Sequence, residues 1–78
     1  MDIFDQVCDI IRENMGFEED AVFTEEMTFE EMALDSLDVV DTVMSIEDAL
    51  DVKIEDEELY SCKTLGELVE IIKIKKGM

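Results

Sequence analysis

Three stretches of this sequence place apolar residues three and four positions apart, the spacing that gives an α-helix one buried face. In residues 2–15 the apolar set is Ile3, Phe4, Val7, Ile10, Ile11 and Met15, with Asp5, Asp9, Arg12 and Glu13 between them. Asp2 fits the N-cap of this helix, Asp5 sits in the first turn where the dipole favours acid, and Gly16 stands where a left-handed C-terminal residue is wanted. In residues 36–50, Val39, Val43, Ile46 and Leu50 fall in one narrow arc, the expected buried seam. The last helix is opened by Thr64-Leu65-Gly66-Glu67, which matches a capping box. Leu65, Leu68, Val69, Ile71 and Ile72 give it an apolar face, and Lys73, Lys75 and Lys76 close it where the dipole favours cations.

The stretches between are less regular. Residues 17–35 scatter Val22, Phe23, Met27, Phe29, Met32 and Leu34 without period, predicting a long loop pinned by its apolar residues, with a helical turn near Phe29 to Met32. Asp51 to Ile54 reads as a connector, and Asp56-Glu57-Glu58-Leu59-Tyr60 as one short helical turn. The chain is therefore expected to be a single all-α domain over residues 1–78, near the size at which one core gives marginal stability.

Charge excludes several functions. There are 23 acidic residues against 6 basic ones, a net −17 at pH 7, so nucleic acid and anionic membranes would repel the chain and basic protein patches would attract it. A hydrophobic content of 47% separates it from disordered acidic proteins. Cys8 and Cys62 lie far apart, no histidine accompanies them, and they read as reduced apolar residues of a cytoplasmic protein. The acidic start, Met1-Asp2-Ile3-Phe4-Asp5, is unlike a signal peptide, and no stretch is apolar enough to insert in a membrane. Without histidine or a glycine-rich phosphate loop, catalysis by the chain itself is not expected; EF-hand spacing is also missing, and no metal site is predicted.

What remains is the start of the second helix. Asp35-Ser36-Leu37-Asp38 supplies an N-cap with an acid at the third helical position. Beside the buried seam, Leu37, Val40 and Met44 form a second apolar stripe bordered by Asp41 and Asp48 on one side and Glu47 on the other, one face more than core packing needs. A phosphodiester on Ser36 would meet the free N–H groups of a helix N-terminus. Taken alone, Ser36 reads equally well as a helix cap.

Asp35-Ser36-Leu37-Asp38, followed by Val40, Asp41, Val43-Met44, Ile46-Glu47, Leu50, Ile54 and Asp56-Glu57-Glu58, resembles the signature of bacterial-type acyl carrier proteins. The resemblance implies a four-helix bundle with three longer helices, one short helix and a long first loop. It implies that Ser36 accepts 4′-phosphopantetheine from coenzyme A through a phosphopantetheinyl transferase, and that the arm's thiol carries acyl chains in fatty acid biosynthesis. It further implies that a monomer is read by synthesis enzymes with basic docking patches, through Leu37, Val40 and Met44 with Asp35, Asp38, Asp41, Glu47 and Asp48 around them. Val7, Ile11, Ile46, Ile54, Leu59, Leu68 and Ile72 are the candidates for the interior where family members shelter an acyl chain. The alternatives are a carrier for a specialised pathway, polyketide or aminoacyl, an unmodified acidic interaction module, and a divalent-ion-binding protein. Three places depart from the family pattern: Met32-Ala33 replaces the usual Leu-Gly, predicting a differently shaped turn before Asp35, Glu55 replaces a frequent proline at the start of the third helix, and Met27-Thr28-Phe29 fits the usual loop anchor only loosely.

Overall fold

Each predicted helix forms, and the caps explain where each begins and ends. The computed structural model describes residues 2–77. Helix α1 runs over Ile3–Met15, with the Asp2 side chain accepting from the Asp5 amide at 2.8 Å and Gly16 closing it at φ 74°. Helix α2 spans Ser36–Leu50, α3 spans Asp56–Ser61, and α4 spans Leu65–Lys76. Among the described residues there are no strands, only an isolated antiparallel bridge between Thr28 and Thr64. The all-α, four-helix expectation holds.

Helix α1 packs against α2 and α4. Its buried face, Ile3, Val7, Cys8 and Ile11, joins Val43, Ile46 and Leu50 of α2 and Leu65, Leu68, Val69 and Ile72 of α4 in one core. All seven interior candidates are buried there. One polar group is buried with them: the Thr42 hydroxyl accepts from Asn14 Nδ2 at 3.4 Å, and Asn14 Oδ1 accepts from Ser45 at 2.8 Å, a polar tie between α1 and α2. A buried hydroxyl left unpaired would be destabilising, so Asn14 serves the fold although it is exposed.

Residues 17–35 are tied down along their whole length. Arg12, the chain's only arginine, donates through Nε to the Ala21 carbonyl at 2.7 Å, pairs with Asp9 at 2.9 Å and lies 5.3 Å from the centre of the Phe23 ring. Phe23 in turn meets Phe17 edge-on at 5.5 Å. Farther along, the Leu65 amide donates to Met27 O and the Gly66 amide to Glu25 O, both at 2.9 Å, which fastens this segment across the start of α4. A Cβ on Gly66 would stand 2.8 Å from Glu25 O, so glycine is what allows the approach. Phe23, Met32 and Leu34 are buried, as their scattered apolar pattern implied.

The turn expected near Phe29 to Met32 is a single capped turn. The Glu31 amide donates to Thr28 Oγ1, the Thr28 amide donates to Glu31 Oε1, and the turn closes with Leu34 N on Phe29 O and Ala33 N on Glu30 O. That closure is a Schellman motif, which needs a left-handed residue, and Ala33 adopts φ 61°. The expected reshaping of this turn does not occur, because two backbone bonds and buried Leu34 hold alanine in the glycine conformation. At α3, Glu58 Oε1 accepts from the Glu55 amide at 3.1 Å and pairs with Lys75 of α4 at 2.8 Å, fixing a helix start where proline is absent. At α4 the Thr64 side chain accepts from the Glu67 amide, whereas Glu67 Oε1 accepts from the Thr64 hydroxyl, not from its backbone.

Candidate functional site

The start of α2 is built by its two flanking acids. Asp35 Oδ1 accepts from the Asp38 amide at 2.9 Å, and Asp38 Oδ2 accepts from the Asp35 amide at 3.4 Å, a reciprocal capping box. The cap is therefore Asp35, and Ser36 occupies the first helical position with an exposed side chain. Reading Ser36 as a simple cap fails on this geometry. The first amides of a helix have no intrahelical acceptor; with the Asp38 amide taken by the box and Val39 N bonded to Asp35 O, those of Ser36 and Leu37 remain. An anionic group on the Ser36 oxygen would lie beside them.

Ser36 opens onto a groove of about 440 Å³ between the start of α2, the turn ending at Leu34, and α3. Phe29, Leu34 and Val39 line it together with Leu59, Tyr60 and Cys62 from the α3 side. Asp35 is the one lining residue with a formal charge at neutral pH, in a chain whose residues are 37% charged. An uncharged, flexible chain fits such a groove, and a phosphate at its Ser36 end would meet the helix amides. The residues present thus suit a phosphopantetheine group.

The second apolar stripe is confirmed as surface. Leu37 is 76% exposed, Val40 41% and Met44 58%, while Val43, Ile46 and Leu50 of the seam are buried and Val39 is half-buried. Asp41 and Asp48 are exposed beside the stripe. Glu47 is half-buried, and its Oε2 accepts from the Ile54 amide at 2.8 Å, holding the α2–α3 connector. Asp35 and Asp38 are therefore engaged in the cap that the sequence indicates, whereas the partner of Glu47 is one that the sequence did not reveal. Cys8 and Cys62 are free and buried; burial pushes the Cys8 thiol up to about 11 and raises Cys62 as well, so neither is an activated nucleophile. Among the described residues no cluster of acids and cysteines has metal-holding geometry, and no helix is long and apolar enough to cross a membrane.

Residues 5–72 match the family described as the phosphopantetheine attachment site. The chain belongs to the acyl carrier protein family. It is 38% identical over 76 residues to the acyl carrier protein of Thermotoga maritima, covering 97% of this chain and 94% of that one. It is 34% identical over 70 residues to the acyl carrier protein of Clostridium perfringens, covering 90% and 92%. The crystal structure of the Thermotoga maritima protein superposes with a TM-score of 0.84 over 96% of this chain and 87% of that one, at 36% identity. The solution structure of the holo acyl carrier protein of Geobacter metallireducens superposes with a TM-score of 0.86 over 99% and 88%, at 26% identity. The group of an acyl carrier protein is 4′-phosphopantetheine, and its members are carriers in place of catalysts. Sequence reasoning missed Phe29, Tyr60 and Cys62 as groove residues in this carrier, because 29, 36 and 60 meet only through the folding of the loop and α3.

Proposed function

We propose that this chain carries growing acyl chains of fatty acid biosynthesis as thioesters, on a 4′-phosphopantetheine arm joined to Ser36. The observation that carries the reading is the exposed Ser36 hydroxyl, left out of a cap its neighbours complete and set at the edge of a groove whose lining carries only the Asp35 charge. A phosphopantetheinyl transferase joins the Ser36 oxygen to the arm's phosphorus, the pyrophosphate bond of coenzyme A breaks, and adenosine 3′,5′-bisphosphate leaves with the serine proton passing to the transferase or solvent. The chain contributes the nucleophilic oxygen and its placement, and the partner contributes the base. Once bound, the arm supplies the thiol that holds the acyl group.

Docking is assigned to the outer face of α2. Leu37, Val40 and Met44 supply apolar contact, and Asp41 and Asp48, free to reorient, supply attraction towards basic patches. Asp35, Asp38 and Glu47 add negative charge from positions their hydrogen bonds fix. On this reading the protein works as a cytoplasmic monomer that passes between synthesis enzymes. Intact mass after incubation with coenzyme A and a phosphopantetheinyl transferase tests the attachment, with Ser36→Ala in parallel. A gain of one phosphopantetheinyl group in the parent alone is expected, and an unmodified parent that gains nothing would overturn the assignment.

A further inference from the structure

Six large apolar or aromatic side chains are exposed among the described residues, and three of them, Leu37, Val40 and Tyr60, line the groove that starts at Ser36. Tyr60 is the most exposed of the six at 80%, and it belongs to a six-residue helix, α3, outside the α2 stripe. An aromatic ring left in water at the wall of a charge-poor groove is surface without an occupant.

We propose that Tyr60 is a positioning residue for the arm, its ring forming the wall against which the arm folds back from Ser36. The inference rests on the attachment reading above. Three observations favour the arm over a partner protein as occupant. The groove, at about 440 Å³, has the size of a small-molecule site rather than of a protein interface. It is nearly free of formal charge while the rest of the surface is acidic, which suits the uncharged amide-linked body of pantetheine and not a basic docking patch. The arm would also be tethered at the groove's own edge, where a short flexible link gives an effective concentration in the millimolar range and makes weak contacts sufficient. The phenol suits the arm's alternation of methyl and amide groups, with an apolar face for the first and a hydroxyl for the second.

Tyr60 is the only tyrosine and there is no tryptophan, so the protein reports on this ring directly. The experiment compares apo and holo protein, the holo state verified by intact mass, using acrylamide quenching of tyrosine fluorescence and proton chemical shifts of the arm's geminal methyls. Attachment of the arm should lower the quenching constant at least about twofold, as covering a largely exposed ring requires. The methyls should be displaced upfield from free pantetheine, the displacement persisting in Tyr60→Phe and vanishing in Tyr60→Ala. Equal quenching in the two states, or methyl shifts that survive in Tyr60→Ala, would overturn the role of Tyr60 while the mass gain left the Ser36 assignment standing. A missing mass gain would remove both.

Discussion

Ala33 sits at φ 61°, where its Cβ crowds the neighbouring carbonyl and glycine would carry no such penalty. The turn it closes delivers Leu34 to the core and Asp35 to the cap of α2, so the strain is spent immediately before Ser36. Ala33→Gly is therefore expected to stabilise the fold by about 1 kcal/mol, offset in part by the greater freedom of glycine in the unfolded chain. Urea denaturation with an unchanged slope would measure it, and a destabilised variant would contradict the strain argument. Sequence comparison with the family pattern located this residue correctly but implied the wrong consequence, because an unfavourable residue can either reshape a turn or be forced into it. Backbone bonds from Ala33 and Leu34 decide for the second.

Helix α3 has six residues, too few to be stable by itself, and its order comes from its ends. Glu58 is the main tie, accepting from the Glu55 amide and from Lys75 through the same oxygen. Lys75, ahead of the backbone bond from Glu55, holds the Glu58 carboxyl below its ordinary value of 4.5. A carboxyl with a depressed folded pKa stabilises the fold above its unfolded pKa, and that contribution is lost as pH falls through the folded value. Glu58→Gln should accordingly lower the melting temperature at pH 7, and the deficit should shrink as pH falls below the ordinary carboxyl value and through the depressed one; a deficit independent of pH would point to packing instead. The ends of the elements also mark what was legible. Asp2, Gly16, Asp35 and Thr64 act as the residue types at those positions predict. Ala33 and Asp51 adopt left-handed conformations with no glycine to announce them, and Asp51 ends α2 at φ 54° with Val52 N on Glu47 O. The helix start around Ser36 was legible in its residue types, whereas the groove beside it depended on contacts across more than twenty residues of sequence.

Over the whole molecule the charge is poorly balanced. The basic residues are few and several have structural work: Arg12 clasps the loop, Lys75 pairs with Glu58, and Lys76 donates to the Leu50 carbonyl at 2.6 Å, satisfying the end of α2. The remaining acids repel one another across a domain of 30 × 26 × 22 Å, a few screening lengths at most in dilute buffer. Millimolar magnesium should therefore raise the melting temperature well beyond the effect of an equal ionic strength of sodium chloride, through diffuse binding to dispersed carboxylates. A flat calorimetric response in low salt would show that self-repulsion does not limit stability.

The fastening of residues 25–27 across Leu65 and Gly66 has a consequence for the order in which the protein can be made. Segments synthesised early, the loop after α1 and the last carbonyls of α2, receive their partners from Leu65, Gly66 and Lys76. A nascent chain that has reached only residue 64 can form α1 and α2 but leaves those carbonyls, and the apolar faces that α4 covers, open to water or to a chaperone. The native fastening of residues 25–27 and of the end of α2 thus waits for α4.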